Sequence, residues 1–351
     1  MTLLAETLKK IKPLDASSMA LARTRQDNLT KPTGALGRLE DLSIQLAGIL
    51  GKERPQVTRK AVIVMAADHG VAAEGTSAYP QEVTVQMLAN IAEGGAAIDV
   101  LSRQFGVKVI AVDIGVNGDT SAFKNVTHKK VALGTRSMSK GPAMTSEETL
   151  KAVETGIELV NAEFKKGLDI VGTGEMGIGN TTASAAICAV MTGKTVAEVT
   201  GRGTGVDDKG LKHKIEIIEK AIALNKPQAA NALDVLAKVG GLEIAGLAGV
   251  MLGAAANRIP VMVDGYISGA AALIAAGICP QSKDFMIAGH VSVEPGHKYC
   301  LNHLGLQPLV NLNMRLGEGT GGVIGMSLCE SACRILNEMT TFAEAGVSNK
   351  E

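Results

Sequence analysis

The chain has no tryptophan, and aromatic residues make up only 2% of its 351 positions. Stacking platforms for single-stranded nucleic acid are built from such rings, so their scarcity argues against that class of ligand. An excess of either charge is missing as well: 35 Lys and Arg balance 35 Asp and Glu. The basic footprint of a nucleic-acid binder is therefore lacking. Cysteines are few (Cys188, Cys279, Cys300, Cys329 and Cys333), and none forms a CxxC pair. Their odd number suits reduced thiols in a cytoplasmic protein. Cys329 and Cys333 lie four apart on an expected helix and share a face; they read as small buried hydrophobes rather than as a metal or redox pair.

Long apolar runs are lacking too. The longest, Ile259–Ile278, is broken by Asp264, Gly265 and Gly269. It reads as a buried strand followed by a helix, not as a membrane span. The opening MTLLAETLKKIKPLD mixes acidic with basic residues and has no apolar core of the kind a signal peptide needs. These features predict a soluble, cytoplasmic protein without membrane or nucleic-acid partners.

What the chain does have is glycine, 41 residues scattered between apolar runs. Glycine at such places permits tight strand-to-helix turns. Nearly continuous apolar runs predict strands over Lys60–Ala67, Val107–Ile114, Asp169–Gly172, Ile259–Val263 and Phe285–Ala288. Ala-rich helical segments alternate with them, which is the pattern of a parallel α/β sheet covered on both faces. Residues 1–50 and the segment from Gly321 onward contain no comparable strand and read as helices able to pair into a small cap. Only Val347–Glu351 is expected to fray. In open α/β sheets ligands bind beyond the carboxyl ends of the strands, so the turns after these runs are where chemistry belongs.

One of those turns stands out. DIVGTGEMGIGNTTASAAICAVM, residues 169–191, runs from a strand through four glycines to Asn180-Thr181-Thr182 and an Ala-rich helix. Asn180 is a good N-cap, and the first-turn N–H groups attract an anion. The loop lacks the Gly-Lys-Ser/Thr of a Walker loop and the spacing of the dinucleotide fingerprint. A turn that serves only tight helix packing remains the alternative. TGRGTGVDD, residues 200–208, resembles a second anion nest backed by Lys212 and Lys214, although individually those lysines read as a solvated helix face.

Two glutamates sit in such turns. Glu318 lies in LGEGTGG, between an expected strand end and the last long helix, and Glu175 lies in the phosphate loop. Either alone reads as a solvated or capping residue; together at one end of a sheet they could serve general base chemistry. His69 and His290 with Asp68 would be a conceivable metal set. Their spacing is not that of metal ligands, and capping or core roles account for them.

Eight segments, taken together, resemble one family from end to end. They are Lys31–Leu39 (KPTGALGRL), Ala67–Glu74 (ADHGVAAE), Tyr79–Met87 (YPQEVTVQM), Gly172–Thr182 (GTGEMGIGNTT), Gly201–Asp208 (GRGTGVDD), Val263–Ala270 (VDGYISGA), Gly289–His297 (GHVSVEPGH) and Arg315–Gly322 (RLGEGTGG). The family is that of the nicotinate-nucleotide–dimethylbenzimidazole phosphoribosyltransferases, which make the nucleotide of the lower cobalamin ligand. The resemblance implies a Rossmann-like parallel sheet flanked by helices, with a large α/β domain over residues 46–322. It implies a small helical domain from residues 1–45 and 323–351, and a homodimer. It implies two substrates, nicotinate mononucleotide and dimethylbenzimidazole, with neither a cofactor nor a metal.

The resemblance also assigns residues. Glu318 matches the general base that takes the benzimidazole proton, and Glu175 a second carboxylate beside the ribose. Tyr79, Gln86, Met87 and Leu316 match the pocket for the flat base. Gly177, Asn180, Thr181, Gly203, Lys214, Asp264, Gly265 and Ser292 match the nucleotide site, with Gly177, Gly203 and Lys214 nearest the phosphate. Two other readings stay in view, a nucleotide hydrolase or kinase and a non-catalytic nucleotide sensor. The first lacks its Walker lysine; the second would have no need of the Glu318–Glu175 pair.

Overall fold

The computed structural model describes residues 1–348. Of the tail expected to fray, residues 349–351 lie outside that range, while the Val347 amide donates to the Phe342 carbonyl. Six strands form one parallel sheet: β1 Lys60–Ala67, β2 Val107–Gly115, β3 Val126–His128, β4 Ile170–Met176, β5 Val261–Val263 and β6 Met286–Ala288. Their order is β3-β2-β1-β4-β5-β6, the order of the dinucleotide-binding fold. Chain direction across the sheet reverses between β1 and β4, which opens a crevice at their carboxyl ends.

Every residue of β1 is buried, as its unbroken apolar run demands. Apolar side chains from alternating positions of β1 enter two separate cores, with Ile63 and Met65 on one face and Val62 and Val64 on the other. The longest predicted apolar stretch resolves into β5 and the buried helix Tyr266–Ile278, with Asp264 and Gly265 at the turn between them. No helix among the described residues is long and apolar enough to cross a membrane.

Two expectations are corrected, and one strand is added. The short strand β3 escaped notice because three residues carry too little periodicity to register. No strand precedes Glu318: residues 306–317 run as irregular chain beside the end of β6, where Leu309 N–H donates to the Ala288 carbonyl and Val310 forms an isolated bridge with His290. Lys214 is not on a solvated face; it is 1% exposed on the helix Asp208–Asn225, whereas Lys212 is exposed.

The helices Ala16–Asn28, Arg38–Leu50 and Thr320–Glu338 pack together through Ala22, Ile44, Ala47 and Leu336. The expected domain limits at 45/46 and 322/323 fall inside the second and third of these helices. The first helix, Leu3–Lys10, turns away from this group and packs on helices Ser146–Lys165 and Leu242–Ala256.

Candidate active site

The turn after β4 is the floor of the site. Gly179, at φ +97°, caps the helix Asn180–Thr192 in the left-handed region that suits glycine. Asn180 is therefore the first residue of this helix rather than its N-cap. Its amide turns back and donates to Glu175 Oε2. The Ile178 N–H is taken by Thr84 Oγ1 at 3.1 Å. The Asn180 and Thr182 N–H groups are given to the Gly177 and Gly179 carbonyls at 3.2 and 3.0 Å, which leaves the Thr181 N–H as the first-turn donor able to attract an anion.

Glu318 lines the same site from an adjoining loop. It has φ +62°, between Gly317 at +84° and Gly319 at +96°, so three consecutive residues adopt left-handed backbone. For a glutamate that conformation is uncommon and costs on the order of 1–3 kcal/mol. Asp264 holds the turn in place: its carboxylate accepts from Gly319 N–H at 3.2 Å and Gly322 N–H at 2.8 Å. A side chain at Gly174 would strike the Glu318 carbonyl, and one at Gly317 would strike Glu175 Oε1. The glycines thus bring the two glutamates' loops into direct contact. Glu318 Oε2 accepts from the Ile98 N–H at 3.3 Å.

Burial dominates the electrostatics here. It pushes the Glu175 carboxyl up to about 8, with Asp264, Glu243 and Glu318 adding repulsion against Asn180's donated bond. Burial raises Glu318 as well; the Ile98 amide opposes the shift, and the Asp99 and Asp264 charges add to it. Glu175 is thus mainly protonated near neutrality. Lys214 is moved the other way: burial brings its ammonium down to about 8, resisted by Glu294.

These loops line a cavity of about 460 Å³. Glu175, Gly177, Asn180, Thr181, Gly203, Gly265, Ser292 and Glu318 all line it, as do Tyr79, Met87 and Leu316. Val83, Met176 and Ile178 extend its apolar part. Gln86 does not reach it: exposed, it lies one position along the helix Val83–Ala92 from Met87, about 100° around the axis. Lys214 and Asp264 stand behind the wall. Lys214 Nζ donates to Thr181 Oγ1 at 2.6 Å, and Asp264 acts through the Glu318 turn.

Glu294, Arg315 and Thr204 also line the cavity, and sequence reasoning gave none of them a role. Glu294 Oε1 accepts from the Gly203 N–H at 3.0 Å, and Arg315 Nη1 donates to the Gly203 carbonyl at 3.0 Å. The one available signal for Glu294 was Pro295, a residue type favoured at the first position of a helix, which marks Glu294 as its N-cap. Arg315 lay inside a recognised segment, but no spacing rule says where its side chain goes.

His69 and His290 each lie against a buried carboxylate, and His290 also lines the cavity. His69 Nε2 meets Glu243 Oε1 at 2.7 Å with both side chains buried, and His290 Nε2 lies 3.6 Å from Asp264 Oδ1. Among the described residues no group of three or more His, Cys, Asp or Glu side chains could hold a metal ion. A wider groove of about 760 Å³, lined by Arg136, Lys140 and Lys238, lacks a comparable claim. Each of its cations is already paired, with Glu148, Glu74 and Asp234 respectively, and no strand-end turn lines it.

Comparison with known proteins agrees with this geometry. A family model described as "Phosphoribosyltransferase" matches residues 11–347. The nicotinate-nucleotide–dimethylbenzimidazole phosphoribosyltransferase of Desulforudis audaxviator (strain MP104C) is 58% identical over 348 residues, 99% of each chain. That of Chloroflexus aggregans (strain MD-66 / DSM 9485) is 58% identical over 351 residues, covering 100% of this chain and 99% of its own. The crystal structure of the Thermus thermophilus enzyme of the same name superposes with a TM-score of 0.91 at 43% identity, covering 96% of this chain and all of that one. A parallel sheet of this order, a crevice at its switch point and identity along nearly the whole chain lead to one conclusion: this chain is a phosphoribosyltransferase and belongs to the nicotinate-nucleotide–dimethylbenzimidazole phosphoribosyltransferase family.

Proposed function

We propose that the protein transfers the 5-phosphoribosyl group of nicotinate mononucleotide to 5,6-dimethylbenzimidazole, releasing nicotinate and α-ribazole 5′-phosphate. The observation that carries this reading is one cavity lined by both glutamates, Glu318 and Glu175, together with Gly177, Ile178, Asn180 and Thr181 of the turn after β4. Its volume of about 460 Å³ falls within the roughly 300–1,000 Å³ of sites that enclose small molecules.

The phosphate lies over the turn Gly177–Thr181, with Lys214 supporting Thr181 from behind. The flat base lies between Tyr79, Val83, Met87 and Leu316, where its rings replace water on apolar side chains. One base nitrogen attacks C1′ on the face opposite nicotinate, so the β-nucleotide becomes an α-nucleotide. The C1′–N bond breaks with its electron pair returning to the nicotinate ring, which loses its positive charge. The N–H on the other base nitrogen becomes acidic as its ring acquires charge, and Glu318 accepts that proton.

Glu175 answers the charge on the sugar. Protonated in the empty cavity, it does not repel the incoming phosphate. The positive charge spread over C1′ and the ring oxygen at the transition state is met by the lone pairs of the carboxyl oxygen, with no proton leaving Glu175. Such an interaction grows along the reaction coordinate, the kind that lowers a barrier. No cofactor or metal enters the scheme, and the enzyme is expected to work as a homodimer. Incubation with nicotinate mononucleotide and dimethylbenzimidazole, followed by mass and anomeric NMR analysis, tests the reading. An α-configured nucleotide is expected; a β product or free ribose 5-phosphate would overturn it.

A further inference from the structure

The cavity's charges do not suit its proposed ligand until one more residue is counted. Besides Glu175, which is mainly protonated, two carboxylates line it (Glu294 and Glu318), and the donor nucleotide brings a doubly charged phosphate. Lys214 is an incomplete answer. It lies behind Thr181, to whose hydroxyl it donates, and the nearby Glu294 carboxylate balances its charge. The Lys214–Glu294 pair therefore leaves this end of the cavity close to neutral.

Among the described residues Arg315 is the only Lys or Arg that lines the cavity, and it has no carboxylate within 4 Å there. It is fixed at the same end. Its Nη1 donates to the Gly203 carbonyl, while the Gly203 N–H is given to Glu294. A side chain at Gly203 would meet Thr181 Oγ1 and, at 3.1 Å, Lys214 Nζ. Arg315, Lys214 and Thr181 thus converge on one peptide unit. A guanidinium has five N–H donors in a planar fork, of which the Gly203 carbonyl takes one; the rest are free for a tetrahedral anion.

We propose that Arg315 is the residue that binds the 5′-phosphate of the donor nucleotide and confers selectivity for nucleotide over nucleoside. This rests on the phosphoribosyl-transfer reading above. The donor has a second anionic group, the nicotinate carboxylate. Arg315 is assigned to the phosphate because its anchor, Gly203, belongs to the Thr181–Lys214 end of the cavity rather than to the apolar end.

The test compares wild type with Arg315→Gln and Arg315→Lys on three donors: nicotinate mononucleotide, nicotinate riboside without the phosphate, and nicotinamide mononucleotide without the carboxylate. Calorimetric binding of ribose 5-phosphate is measured alongside. Arg315→Gln is expected to raise KM for both nucleotides by roughly ten- to a hundredfold, the worth of a charge-assisted hydrogen bond. It should leave kcat/KM for the riboside unchanged and weaken ribose 5-phosphate binding by a similar factor. Arg315→Lys should recover part of the loss. An equal loss on the riboside would overturn the assignment, because it would place the role of Arg315 away from the phosphate. A loss confined to the two nicotinate donors would overturn it in favour of the carboxylate. The wild-type controls keep the two readings apart. Arg315-dependent ribose 5-phosphate binding without base transfer would sink the proposed reaction alone, and transfer untouched by Arg315→Gln would sink this inference alone.

Discussion

Replacing Glu318 by glutamine changes one function of that side chain while disturbing little else. The amide is isosteric and keeps an oxygen able to accept the Ile98 N–H bond, at 3.3 Å in the native protein. The left-handed backbone at φ +62° is set by Gly317, Gly319 and the Asp264 bonds to Gly319 and Gly322, none of which the substitution touches. Removing the carboxylate also relieves repulsion from Asp99 and Asp264, so the fold should not weaken. What disappears is the proton acceptor. A positioned general base typically contributes about 10²–10⁴-fold, or roughly 3–5 kcal/mol of barrier. The expected result is a fall in kcat of that size, with nicotinate mononucleotide binding by calorimetry within about twofold of wild type. The pH profile is a second check. Only ionised Glu318 can accept a proton, so activity should rise with pH through a value above the usual carboxylate range. That limb should vanish in the variant. Near-normal kcat, or an acid limb that survives, would remove Glu318 from the role of base.

Lys214→Ala should raise KM for the nucleotide much more than KM for the base, since it withdraws a buried ammonium from Thr181 and leaves Glu294 unbalanced. In the wild type the same loss should appear as pH rises through about 8, where Lys214 gives up its proton; steady-state kinetics of both substrates checks this. Glu175→Gln should stabilise the fold. The native carboxyl, raised to about 8, holds a proton that the unfolded chain releases near 4.5, so stability falls as pH climbs between those values. The gain in Tm should therefore be larger at pH 8 than at pH 5, with a ceiling on the order of a few kcal/mol. Equal gains at both pH values would mean that burial is not what perturbs Glu175.

Five of the six strand positions, and the turns after β4 and β5 that line the cavity, were legible in the chain itself. Buried parallel strands must be nearly all apolar, and the turns after them must be polar or glycine-rich, so β1 at Lys60–Ala67 and the loop at Gly172–Thr182 declare themselves. Both glutamates stood out because each sits in a glycine-rich turn, Glu318 between Gly317 and Gly319 and Glu175 after Gly174, although either alone reads as a solvated or capping residue. Three-residue β3 and the irregular chain before Glu318 did not declare themselves, because neither imposes a repeating pattern.

Other features were settled only by the folded chain. Whether Lys214 faced water or the interior depended on the packing of the helix Asp208–Asn225, and a helical pattern rich in lysine fits either answer. Asn180 could have capped its helix; in the folded chain Gly179 takes that position at φ +97°, and the Asn180 amide donates to Glu175. Gln86 and Met87 are neighbours in sequence, yet the rotation of one helix puts Met87 on the cavity wall and leaves Gln86 outside it. The meeting of Glu294, Arg315 and Lys214 at Gly203 joins parts of the chain about a hundred residues apart. Composition and periodicity describe each segment against solvent or core; which charges meet is decided by the long-range packing that closes the sheet and its helices around them.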